Sequence, residues 1–204
     1  MMKKYTLIFL FLLSLSAARG QDSSSVKFGL GFTLVDFRDM ANTFFSYHYF
    51  SPNFSIPIVI KNMVRIEPSI GYFNRNIEFK SQENENDFYK VSDSNTHLGL
   101  GLFFLKQYAP LQVYWGSYFS YIISTEKQND KDDRDTEEGD GYSIGPAFGM
   151  EYLFNKHFSL GGEIRAQYLK LVREEDSTRE TADKDKITYH SFVTRALITL
   201  RFYF

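Results

Sequence analysis

The run from Thr194 to Phe204 alternates with a period of two residues. Ala196, Ile198, Leu200, Phe202 and Phe204 fall on one side, and Arg195, Thr199 and Arg201 on the other. A strand side that is wholly apolar, opposite a side carrying two arginines, does not suit a soluble sandwich. It suits a strand whose apolar side meets lipid and whose charged side meets a polar interior. Such a sheet has to close on itself, because a bare strand edge in hydrocarbon costs several kcal/mol per unsatisfied backbone group.

The N-terminus agrees with export. Lys3 and Lys4 precede an unbroken apolar run from Leu7 to Leu13, and small residues follow to Gly20. That run is too short to span a bilayer as a helix and has the flanks of a secretory signal. The expected division is a signal peptide over residues 1–20 and one outer-membrane β-barrel domain over 21–204. Without Lys3, Lys4 and Arg19 the net charge moves from −2 to −5, so nothing basic argues for nucleic acid. There is no cysteine, hence no disulfide framework, and no cofactor motif.

Alternation predicts eight strands: 26–35, 53–60, 65–80, 96–105, 112–125, 141–154, 158–172 and 187–204. Phe28, Leu30, Phe32 and Leu34 face outward in the first, and Leu98, Leu100, Leu102 and Phe104 in the fourth. Opposite them stand Gly29, Gly31 and Thr33, then His97, Gly99, Gly101 and Phe103. Pro68 and Pro146 fall inside strands and predict local bulges, since proline lacks the N–H. Short links (61–64, 106–111, 155–157) alternate with long ones (36–52, 81–95, 126–140, 173–186). The fold class is therefore all-β: an eight-stranded antiparallel up-and-down transmembrane β-barrel with short periplasmic turns and long extracellular loops. A lipocalin-like barrel of opposite polarity would crowd too many large apolar side chains inside.

The predicted lumen carries Lys27, Arg65, Glu67, Glu151, Glu163, Arg165 and Arg201. Four cations and three anions in a narrow interior are expected to pair, because an isolated buried charge is very costly. A salt-bridged plug is the structural reading, and a narrow ion path made of the same residues is the functional one. The segment 126–140 holds eight acids against three bases. Its carboxylates at Asp130, Asp132, Asp133 and Asp135 could hold divalent ions that bridge lipopolysaccharide phosphates. It lacks the glycine of a calcium hand, and Arg134 occupies a ligand slot. His97 is expected in the lumen within reach of Ser191, whereas His190 and Ser191, adjacent in one strand, point to opposite faces. The four histidines show no metal-ligand spacing. Tyr47, Tyr49, Phe50, Tyr108, Trp115, Tyr152 and Phe154 are candidates for interfacial aromatic girdles, with sugar stacking in the first long loop as the other reading.

With this strand pattern, these loops and the ending Arg201-Phe202-Tyr203-Phe204, the chain resembles the small porin-like outer-membrane β-barrel family, including the OmpX type and the transmembrane domain of OmpA. The resemblance covers 26–204. It implies that Ile198, Leu200, Phe202 and Phe204 form a C-terminal signal read by the barrel assembly machinery, and that the peptidoglycan-binding domain of OmpA is missing. Lipid A deacylase barrels carry a His-x-Ser pair on one strand face; His190-Ser191 departs from that spacing. The expected product is a non-enzymatic monomer in the outer membrane of a diderm bacterium. It meets lipid and lipopolysaccharide, needs no metal or cofactor, and serves a structural, adhesive or protective role. A narrow channel is the alternative, and a lipid-modifying enzyme comes third.

Overall fold

The computed structural model describes residues 26–38, 53–80, 88–129, 134–177 and 186–204. Among these it has nine strands: β1 (Val26–Arg38), β2 (Asn53–Ser55), β3 (Ile58–Ile60), β4 (Val64–Lys80), β5 (Phe88–Tyr108), β6 (Leu111–Asn129), β7 (Arg134–Leu153), β8 (Phe158–Ser177) and β9 (Lys186–Tyr203). All pairings are antiparallel, and from β4 onward each strand pairs with the next in sequence. β1 pairs with β9 from Gly29↔Tyr203 to Arg38↔Arg195, which closes the sheet into a ring. The expected signal peptide and the aromatic residues Tyr47, Tyr49 and Phe50 lie outside the described residues.

The count differs from the eight expected because one strand is split. β2 and β3 both lie between β1 and β4, on a single register that pairs Ser55 with Ser69 and Ile58 with Ile66. That register puts Pro57 and Pro68 in the same gap, and two residues without N–H thin the ladder there. Ile56 N still donates to Pro68 O at 2.9 Å, and Gly29 N to Pro57 O at 2.8 Å. The bulges expected at Pro68 and Pro146 are not present. β4 pairs with β5 through Pro68↔Leu100, and β6 with β7 through Ser117↔Pro146, both without a shift.

A register shift occurs instead in β1 between Thr33 and Val35, where no proline or glycine announces it. The extra residue reverses the alternation. Asp36 is thereby turned into the barrel, and Phe37 outward.

The strands also outrun their expected ends. β5 begins at Phe88 rather than Thr96, β6 continues to Asn129, β7 begins at Arg134 and β8 reaches Ser177. Residues 88–95, 126–129, 134–140 and 173–177 of the expected loops are therefore arms of paired hairpins. The outward stripe changes from Leu98, Ile123 and Tyr142 to Thr96, Thr125 and Asp140, which marks the end of the apolar belt. Backbone pairing does not depend on that change, so the ladder continues beyond the point where apolar alternation stops.

At the other end the turns are short. Lys61 and Asn62 have φ of 52° and 54°, and Met63 N donates to Ile60 O at 3.0 Å, a turn of the primed type within the three-residue link between Ile60 and Val64. A chain of rings borders this end: Tyr152–Phe154 at 5.0 Å, Phe154–Phe158 at 5.1 Å and Phe158–Phe202 at 5.1 Å between centroids. Above it the outer surface is apolar and exposed (Leu102, Phe104, Trp115, Phe148, Ile164 and others), while Arg65, Tyr114, Glu151, Glu163 and Arg201 are buried. The polarity is that of a barrel in lipid, not in water.

Candidate functional site in the barrel interior

Strict alternation aims one residue in two from every strand at a shared axis, and glycines make room there. A Cβ on Gly149 would overlap the Tyr114 ring at Cζ and stand 2.7 Å from Gly162 O, so the ring occupies the volume that glycine leaves. Into this space six charged side chains converge from four strands: Arg65 and Glu67 of β4, Glu151 of β7, Glu163 and Arg165 of β8, and Arg201 of β9.

Glu151, fully buried, is the hub. It accepts from Arg65 Nη1, from Arg201 Nη1 at 3.1 Å, from Ser159 Oγ at 2.8 Å and from Tyr203 OH at 3.1 Å. Glu67 accepts from Arg201 Nη2 at 3.1 Å and from Ser55 Oγ at 2.9 Å. Its Oε2 lies 2.9 Å from Arg65 Nε, an ion contact without hydrogen-bond geometry. Glu163 pairs with Arg165, accepts from Tyr114 OH at 2.9 Å and lies 3.6 Å from Arg201 Nη2. Three guanidiniums thus meet three carboxylates, and each carboxylate also takes a neutral hydroxyl donor.

The guanidinium faces are covered by rings. Arg65 Cζ is 4.0 Å from the Tyr114 centroid and 4.9 Å from that of Phe103; Arg165 Cζ is 3.4 Å from that of Tyr118. Cation–π contact of this kind holds an arginine where water is scarce. Among the described residues, Arg65 Nη2 and Arg165 Nη1 are buried without a hydrogen-bond partner.

Lys27, expected in this network, does not join it. It is exposed at the turn end of β1, paired in register with Val59. The reason is position: its side points inward, but it lies at the rim, where water solvates an ammonium better than a crowded interior would. Sequence reasoning also missed a second charge layer. Arg195 is bound through two nitrogens to Asp36, with Nε–Oδ1 at 3.1 Å. Arg195 stands in the alternating stripe and was legible as an inward charge. Asp36 carried no such signal, because the β1 shift that aims it inward is silent in the sequence. Tyr114 and Tyr203 were readable as ring positions but not as hydroxyl donors.

His97 does face inward, half-buried, between Gly71 and Ile122 in register. Ser191 is not its neighbour. It is exposed and pairs with Leu169 on the far side of the ring, so the expected reach between the two is not there. His190 faces outward, its Nδ1 bonded to the Tyr168 hydroxyl. His157 holds the last strand through Nδ1 to Tyr203 O at 2.8 Å. Asp130, Asp132 and Asp133 lie outside the described residues, and among the described ones no three metal-ligating side chains converge. Of the expected terminal signal, Ile198, Phe202 and Phe204 are exposed on the outer face and Leu200 is half-exposed there.

A major outer membrane protein from Thermus thermophilus has a similar fold, with a TM-score of 0.58 at 11% identity over 88% of this chain and 99% of that one. OprG of Pseudomonas aeruginosa gives 0.52 at 12% identity, over 88% and 94%. Ail, the attachment invasion locus protein of Yersinia pestis, solved with the heparin analogue sucrose octasulfate, gives 0.50 at 11% identity, over 88% and 97%. At such identities these likenesses concern the fold alone. No curated protein matches the chain. A family model for the outer membrane protein beta-barrel domain matches residues 5–195. Closed ring, inverted polarity and family model agree: the chain belongs to the outer membrane protein beta-barrel family.

Proposed function

We propose that this protein is a non-enzymatic outer-membrane barrel whose lumen is filled by its own side chains, and that it works through the acidic hairpins at its outer end. Counted as staves, with β2 and β3 as one, the barrel has eight, and at that size the interior holds side chains rather than a channel. The observation that carries the reading is the group formed by Arg65, Glu67, Glu151 and Arg201. It joins β4, β7 and β9 across the axis with every member buried. The short turns then face the periplasm and the long hairpins the exterior, where their role is structural, adhesive or protective. Lipopolysaccharide is the partner nearest the belt, and the barrel assembly machinery is the partner during insertion.

Planar-bilayer recording tests the closed lumen. The expected result is no lasting conductance, and a stable open state on a nanosiemens scale refutes it. A second reading, a narrow ion path, is favoured by one feature: the unpartnered nitrogens of Arg65 and Arg165 give an anion something to bind. It predicts small, anion-selective events that vanish in Arg165→Met.

A further inference from the structure

The two ends of the barrel carry different charge. At the hairpin end exposed acids (Glu78, Glu138, Asp140 and Glu174) mix with exposed lysines (Lys90, Lys127 and Lys186). At the turn end Lys27, Lys61, Lys106 and Lys156 are exposed, and among the described residues no Asp or Glu side chain is exposed beside them. The carboxylates of Glu67 and Glu151, on the strands that lead into these turns, are buried and bound to Arg65 and Arg201. Among the described residues neither Lys61 nor Lys106 forms an ion pair. This end is therefore a cationic rim.

Two of its lysines meet at the edge of the apolar belt. The outward stripe of β5 runs Leu98, Leu100, Leu102, Phe104, Lys106, so Lys106 is the first charge after the last apolar position. Leu105 N donates to Met63 O at 2.7 Å, which sets the end of β5 against the link that carries Lys61. Lys106 Nζ lies 5.3 Å from the centroid of the exposed Tyr108 ring. One step into the belt, Phe104 and Trp115 are partners in register, with centroids 6.4 Å apart and both rings outward. A lysine at the edge of hydrocarbon lays its stem along the apolar surface and reaches the headgroup layer with its ammonium. The counter-ion present in that layer is a lipid phosphate.

We infer that Lys61, Lys106 and Tyr108, beside Leu102, Phe104 and Trp115, form a binding site for an anionic glycerophospholipid of the phosphatidylglycerol class. The acyl chains lie on the three apolar side chains, and the phosphodiester takes the two ammoniums and the phenol hydroxyl. That this end meets a glycerophospholipid leaflet rests on the orientation proposed above, with the turns toward the periplasm. The selectivity does not, because a bilayer of one lipid mixture presents the same headgroups on both sides. Each lysine held near an anionic headgroup contributes about fivefold in binding.

Trp115, the single tryptophan of the chain, stands in the site and reports on it. The full barrel is reconstituted in phosphatidylcholine vesicles with increasing fractions of a lipid brominated in its acyl chains. The brominated lipid is phosphatidylglycerol in one series and phosphatidylcholine in the other, and quenching of Trp115 gives their relative affinity. The expected result is at least a fivefold preference for phosphatidylglycerol, which falls as salt is raised because the lysines are exposed. Lys61→Gln/Lys106→Gln brings the preference below twofold. Lys170→Gln, at the opposite edge of the belt, leaves it unchanged. Retained heat-modifiability in electrophoresis shows that the variants fold, and the salt dependence of the parent decides alone if the double variant does not. A parent preference below fivefold, indifference to salt, or a folded double variant that stays above twofold overturns the inference. So does an equal loss in Lys170→Gln, which would mean a general effect of charge. Displacement of the brominated lipid by millimolar inorganic phosphate would mark a site for free phosphate and overturn it as well.

Discussion

Glu151→Gln is the sharpest perturbation of the interior. The substitution keeps the shape of the side chain and removes one charge from a site with no exposure. Two guanidiniums lose a carboxylate at once. Arg65 is left with Glu67, and Arg201 with Glu67 and the longer contact to Glu163 at 3.6 Å. The hydroxyls of Ser159 and Tyr203 can still donate to the amide oxygen, but its NH2 group would confront Arg65 or Arg201, donor to donor. Breaking a buried pair by removing one partner costs about 3–5 kcal/mol. The two retained hydroxyl bonds, worth about 1 kcal/mol each, limit the loss to the lower part of that range. The expected destabilisation is therefore about 3 kcal/mol, more than a hundredfold in the folding equilibrium. Urea titration in lipid vesicles measures it, with Trp115 fluorescence reporting the fold. The double variant Glu151→Gln/Arg65→Met should recover at least about 1 kcal/mol, because the stranded charge is gone. A loss below about 1 kcal/mol, or no recovery in the double variant, would refute the network as the element that holds the lumen shut.

Gly149→Ala brings a methyl into the Tyr114 ring and close to the Gly162 carbonyl, and should cost roughly 1–3 kcal/mol in the same titration. Lys61→Gly relieves a side chain held at φ 52° and should gain about 1 kcal/mol, provided the hairpin of β3 and β4 is formed before unfolding. Phe204→Ala should slow assembly more than it weakens the finished barrel. Its ring is exposed, while its backbone N donates to Phe28 O at 2.9 Å whatever the side chain. Unchanged levels of folded protein in cells would count against the terminal signal. Asp36→Asn should loosen Arg195 and cost about 1–3 kcal/mol, read by the same unfolding curves.

The chain alone determined the class of solvent around the barrel. A strand that places Ile198, Leu200 and Phe202 on one side and Thr199 and Arg201 on the other has only one arrangement in lipid. The period of two then names which residues look inward. Arg65, Glu67, Glu151, Glu163, Arg165 and Arg201 were legible for that reason. Who pairs with whom was not, because Arg65 and Glu151 are separated by 86 positions and meet only through the ring's closure and stagger. Two features belonged to tertiary structure entirely. The shift at Thr33/Val35 changes the parity of β1 and so delivers Asp36 to Arg195. The hairpin arms continue past the belt because backbone pairing does not need an apolar stripe, and there polar residues stand inward (Asn95, Ser124, Glu137) as well as outward (Thr96, Thr125, Asp140). Alternation records the solvent on each face; it does not record where a strand slips by one residue or how far its ladder continues.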